Sequence, residues 1–111
     1  MFRNILVFLT MISIASSSAN ASCISGLCNN EYIERIIINA NGTVLIKLSG
    51  DVSNLNCTLR DGEYLTITKN MDNFQEIFAS ILTLQSQNKP IARVRIEELS
   101  NGCYVSYIWK T

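Results

Sequence analysis

The chain has 111 residues, enough for one domain, with nine basic and nine acidic side chains. That balance argues against nucleic acid, whose binding needs a basic surface to displace counterions from phosphates. Histidine is absent altogether, which removes the Ser-His-Asp triad, the Cys-His pair and the histidine-ligated metal centre.

The first 21 residues read as a signal peptide. Arg3 gives a short positive region, residues 5–14 an apolar run, and Ala19-Asn20-Ala21 a small-x-small cleavage site. The run is shorter than the roughly 20 apolar residues that cross a bilayer, so no membrane span is expected after cleavage. A lipidated Cys23 is the poorer reading, because Asn20-Ala21-Ser22 lacks the leucine expected three residues earlier. The expected location is secreted or periplasmic, in a bacterium. Cleavage after Ala21 leaves 90 residues with eight basic and nine acidic side chains. A chain of that size buries only about 60–65% of its unfolded surface, so its core alone is marginal.

Cys23, Cys28, Cys57 and Cys103 all follow the cleavage site, and an even count in a short exported chain reads as two disulfides. Of three possible pairings, Cys23–Cys28 with Cys57–Cys103 is favoured; in the rival pairing Cys23 or Cys28 staples the N-terminal arm to the rest. Zinc is the weaker reading without a Cys-x-x-Cys pair. No cofactor and no metal are expected.

Residues 22–30 form a polar lead-in held by its cysteines. Residues 31–39 are β-branched enough for a strand, and Ala40-Asn41-Gly42 marks a hairpin turn, since Asn-Gly tolerates positive φ. Residues 43–48 alternate cleanly, with Val44, Ile46 and Leu48 on one face and Leu45 on the other. A polar loop over 49–56 follows, then a short extended piece at 57–59 and a turn at Arg60-Asp61-Gly62. Residues 64–68 form a third strand, with Leu65 and Ile67 inward and Tyr64, Thr66 and Thr68 on the opposite face.

Residues 72–87, from Asp72 to Gln87, carry the amphipathic helix. Phe74, Ile77, Phe78, Ile81 and Leu82 supply its apolar stripe, Asp72/Gln75 or Asn73/Glu76 a capping box, and Asn88 and Pro90 its stop. Residues 91–98 form a fourth strand with Ala92, Val94 and Ile96 inward and Arg93, Arg95 and Glu97 outward. After Ser100-Asn101-Gly102 the last strand covers 103–109; its alternation puts Val105, Tyr107 and Trp109 on the side of Cys103, and Tyr104, Ser106 and Ile108 outside.

The expected order is β-β-β-α-β-β, with the helix between strands three and four. The expected fold is a small α+β, mostly β domain: a five-stranded OB-like barrel or a curled antiparallel sheet. Two segments, Asn73-Phe74-Gln75-Glu76-Ile77-Phe78 and Lys89-Pro90-Ile91-Ala92-Arg93-Val94-Arg95-Ile96, place such a helix directly before such a strand. In this and in its element order the chain resembles the OB-fold B subunits of AB5 toxins, in the subtilase-cytotoxin and pertussis-like branch. The resemblance implies a self-associating, glycan-binding subunit and matches no particular binding residue.

Little in the sequence suggests catalysis. Glu97 and Glu98 point to opposite faces of an extended strand and cannot work as a pair, and paired cysteines are not nucleophiles. The binding candidates are Arg93 and Arg95, as planar donors to an anion or sugar, and Tyr64, Tyr104 and Ser106 on outward faces. Asn41-Gly42-Thr43 and Asn56-Cys57-Thr58 match the glycosylation sequon, but the first is accounted for by its turn and no role is assigned to either. On the helix only Glu76 is charged between Asn73 and Gln87, a neutral polar face suited to packing against copies of itself. A non-catalytic exported module that binds a glycan or an exported protein is the reading preferred. The alternative is an exported inhibitor or immunity-type protein that blocks a partner enzyme through a loop.

Overall fold

A computed structural model describes residues 22–110; the expected signal peptide and its cleavage site lie outside the described residues. The elements in chain order are β1 (Ser22–Ile24), β2 (Leu27–Glu31), β3 (Ile33–Ile38), β4 (Thr43–Leu48), β5 (Leu65–Thr68), α1 (Phe74–Ser86), β6 (Ile91–Ile96) and β7 (Val105–Trp109). They build two antiparallel sheets, β1-β2-β6-β7 and β3-β4-β5.

Two expectations need correction. The helix follows the fifth strand and not the third, because the supposed lead-in is itself a hairpin of β1 and β2. Its residues have poor strand propensity, but Cys23 and Cys28 stand directly opposite each other and are disulfide-bonded, which pins the pair. The sheets also do not close into a barrel. Toward β7, β5 makes one isolated parallel bridge, Thr66 to Tyr104, where the Thr66 N–H donates to the Cys103 carbonyl. Gly102 and Cys103 both have positive φ, so the chain is not extended there and the ladder stops.

The sheets meet where β2 runs into β3 across Tyr32. Glu31 secures this joint: its fully buried carboxyl accepts the Gly50 N–H at 2.6 Å and the Ser49 hydroxyl at 3.2 Å. A Cβ on Gly50 would collide with that carboxyl. The core lies between the sheets and under the helix, drawing Val44, Ile46, Leu65 and Ile67 from one sheet and Ile91, Val94, Ile96 and Val105 from the other. Each such side chain contributes about 1.5–3 kcal/mol by leaving water. Both favoured disulfides are present, Cys23–Cys28 and Cys57–Cys103. Their presence fits an oxidising compartment. Among the described residues no helix is long and apolar enough to cross a membrane.

Three local expectations also change. On α1 the buried stripe is Ile77, Ile81 and Leu84; Phe74 and Phe78 are half-buried and stack at 5.5 Å, while Leu82 is exposed. No side chain caps the helix start. The stop is as expected: Asn88 adopts positive φ, its N–H reaches the Gln85 carbonyl, and the Lys89 N–H reaches that of Leu84, a Schellman closure. On β4 and β5 the second face is covered as well, so Leu45, Tyr64 and Thr66 are buried with the rest.

Candidate functional site

The second face of the four-stranded sheet points away from the core and carries a continuous polar and aromatic surface. Its residues align in two rows across the strands. In one, Asn29 of β2, Arg93 of β6 and Trp109 of β7 are direct cross-strand neighbours; in the next, Leu27, Arg95 and Tyr107 are. Directly opposed side chains on one face stand about 4.5–5.5 Å apart at Cβ, close enough to touch.

Arg93 sits at the centre of the first row. Its guanidinium carbon lies 4.4 Å from the Trp109 ring centroid, and its Nε donates to the Asn29 Oδ1 at 3.2 Å. Cation–π contact and amide together fix a side chain that would otherwise sample many rotamers. Trp109 and Tyr107 are neighbours along β7, with ring centroids 6.4 Å apart and planes inclined by 24°. Both remain exposed, Trp109 to 52%. Arg95, opposite Tyr107, meets Glu98 with its Nη2 at 3.4 Å from Oε2.

Along β7 the structure reverses the expected faces. Strict alternation from Cys103 sends Tyr107 and Trp109 inward and Ile108 outward. The register between β6 and β7 instead shifts by one residue between Arg95 and Ile96, so that two steps along β7, from Val105 to Tyr107, match one step along β6. A bulge of this kind flips every later side chain to the other face. Val105 is buried, Ile108 packs on the core, and Tyr107 and Trp109 face solvent.

The five sequence candidates therefore separate. Arg93 and Arg95 share the outer face. Tyr64 is buried, and its hydroxyl accepts from the Arg35 Nη1 at 2.9 Å; this contact, first, raises the Arg35 pKa. Tyr104 is half-buried beside Gly102, where a Cβ would come within 3.1 Å of its ring. Ser106 is half-buried at a shallow depression of about 460 Å³ shared with Met71, Asp72, Asn73 and Glu97, and its carbonyl accepts from the Asn73 amide at 3.3 Å. Tyr107, Trp109 and Asn29 are the members that sequence reading missed. The matching two-residue spacings of Arg-x-Arg and Tyr-x-Trp signal two facing rows; nothing marks Asn29, because its segment does not read as a strand.

Stacking surface, two guanidinium groups and an amide are what this face offers, which is the chemistry of recognition. Among the described residues no three His, Cys, Asp or Glu side chains are grouped to hold a metal. Comparison with family models, with curated proteins and with solved structures finds no match for this chain.

Proposed function

We propose that the chain is a small exported, non-catalytic binding module whose outer sheet face takes a glycan. One observation carries the reading: Tyr107 and Trp109 stand side by side on a solvent-facing strand, in register with Arg95 and Arg93. An aromatic face stacks on the apolar face of a sugar ring, and guanidinium donors reach its oxygens. A rigid, cross-braced platform also keeps the entropy lost on binding small.

The strand path supports the toxin-B-like form of this proposal. The succession β2/β3, β4, β5, then across the single Thr66–Tyr104 bridge to β7, β6 and back to β2 is the strand order of an OB barrel, here without closure of the two sheets. Self-association through α1 belongs to the same reading, supported by its neutral polar face and its exposed Leu82.

A glycan array probed with the folded chain tests the site. Binding that falls at least tenfold in both Trp109→Ala and Tyr107→Ala, while Tyr104→Phe binds normally, is the expected pattern; an array with no positive sugar refutes it. Light scattering tests assembly: an oligomer broken by Ser80→Glu with Thr83→Glu is expected, and a strict monomer refutes the self-associating form.

A further inference from the structure

One end of the four-stranded sheet carries a second surface, built from three neighbouring segments. The Asn56 N–H donates to the Ser25 carbonyl, and the Asn56 carbonyl accepts the Leu99 N–H at 2.5 Å. Asn56 therefore lies between the β1–β2 turn and the loop that joins β6 to β7. At hydrogen-bonded spacing this puts Ser25 and Leu99 roughly 10 Å apart. The flanking aliphatic side chains are exposed: Ile24 to 65% and Leu99 to 81%, the most exposed large hydrophobic residue described.

Isolated exposed leucines are ordinary, but Leu99 bears two costs at once. It has φ +65°, a conformation that suits glycine or asparagine and costs a bulky residue about 1–2 kcal/mol. The loop holds it there firmly. The Ser100 N–H and hydroxyl both donate to the Glu97 carbonyl, the Ser100 carbonyl accepts from Thr58, the Gly102 N–H reaches the Thr58 carbonyl, and Cys103 is bonded to Cys57. At 81% exposure the side chain gains little from burial to offset that cost. A fixed, protruding side chain is what an interface anchor requires, since little freedom remains to be lost on docking.

We propose that Leu99, seconded by Ile24, is a docking knob for an exported protein with an apolar socket rimmed by Lys or Arg. The rim follows from charge. Glu97 and Glu98 precede Leu99 and are exposed, and of the two only Glu98 meets a cation, Arg95. With Glu98 paired to Arg95 and accepting from the Asn56 amide at 3.2 Å, the Glu97 carboxylate beside the knob disfavours a lipid surface, which is commonly anionic, and favours a basic protein rim. The Arg95–Glu98 ion pair joins this surface to the Trp109–Tyr107 platform, so the knob is tested at Leu99 and Glu97 and not at Glu98.

The test places a diazirine analogue of leucine at position 99 of the full chain and irradiates the culture of the cells that produce it. The expected product is one exported protein, crosslinked at an apolar segment flanked by Lys or Arg. Its yield should fall at least tenfold when Glu97 is replaced by lysine, with glycan binding unchanged. Independently, Leu99→Gly should raise the melting temperature, because it removes the backbone cost, and should abolish capture of the same protein. Crosslinks only to lipid or to a second copy overturn the proposal, as does the absence of any crosslink. A lowered melting temperature in Leu99→Gly overturns it too, by making Leu99 a folding residue.

Discussion

The two hairpins of the four-stranded sheet are held by opposite kinds of crosslink. In β1–β2 the disulfide joins residues five apart that already face each other across the pair. In β6–β7 it leaves the hairpin: Cys103, just before β7, is tied to Cys57, 46 residues back and upstream of β5. The first turns a short polar segment of weak propensity into a strand. The second closes a loop that contains β5, the helix and β6, and it fixes where β7 begins. A local bridge makes an element, whereas a distant one sets a register.

Variants can test that contrast, beginning with the largest effect. Replacing Cys57 and Cys103 with serine should cost about 4 kcal/mol in the chain-entropy model, read by urea unfolding, and should shift Trp109 fluorescence as the β7 register loosens. Glu31→Ala acts on the joint between the sheets. Losing a buried acceptor from the Gly50 N–H should cost about 3 kcal/mol, with a midpoint shift in the same assay. Replacing Cys23 and Cys28 with serine closes no long loop and should cost about 2 kcal/mol; hydrogen exchange should rise in β1 and β2 and stay low in β6. A cost equal to that of the long bridge would erase the contrast between the two crosslinks. Trp109→Ala should cost about 1 kcal/mol, through lost contact with Arg93 and Tyr107, while removing glycan binding.

The smallest effect is one of pH. The backbone N–H of Ser53, and then its side chain, hold the Asp51 carboxyl below its ordinary value. A lowered folded-state value stabilises above the ordinary carboxylate range, and that contribution is lost as pH falls through the lowered value. Asp51→Asn should therefore lower the melting temperature slightly at neutral pH, match the unsubstituted chain in strong acid, and so flatten the acid limb of the profile.

Much of the architecture was legible from residue patterns. The Asn41-Gly42 turn, the alternation in β4, the helix stop at Asn88 and both disulfides follow from turn chemistry, period and cysteine spacing. Three features were not legible, each for a physical reason. The β1–β2 hairpin is imposed by a crosslink and not by propensity. Burial of Thr66 depends on the segment around Gly102, which covers the second face of β5 through a hydrogen bond from the Thr66 hydroxyl to the Gly102 carbonyl at 2.6 Å. The bulge before Tyr107 depends on how β7 starts after a non-extended Cys103, which period alone does not encode. At the site, Arg93 and Arg95 were visible because a regular strand carries them; their aromatic partners were hidden by a single slipped residue.

Asn73 has a consequence of a different order. The helix start goes without a side-chain cap, and the Asn73 amide spends its donor on the Ser106 carbonyl, on β7 at the margin of its sheet. A bare strand margin ending in tyrosine, isoleucine and tryptophan is a template for adding further strands, and so for fibril growth. Occupying one of its acceptors weakens that template at the point where the ladder to β5 has already ended. One acceptor of that margin is thereby occupied while Tyr107 and Trp109 stay exposed on the strand.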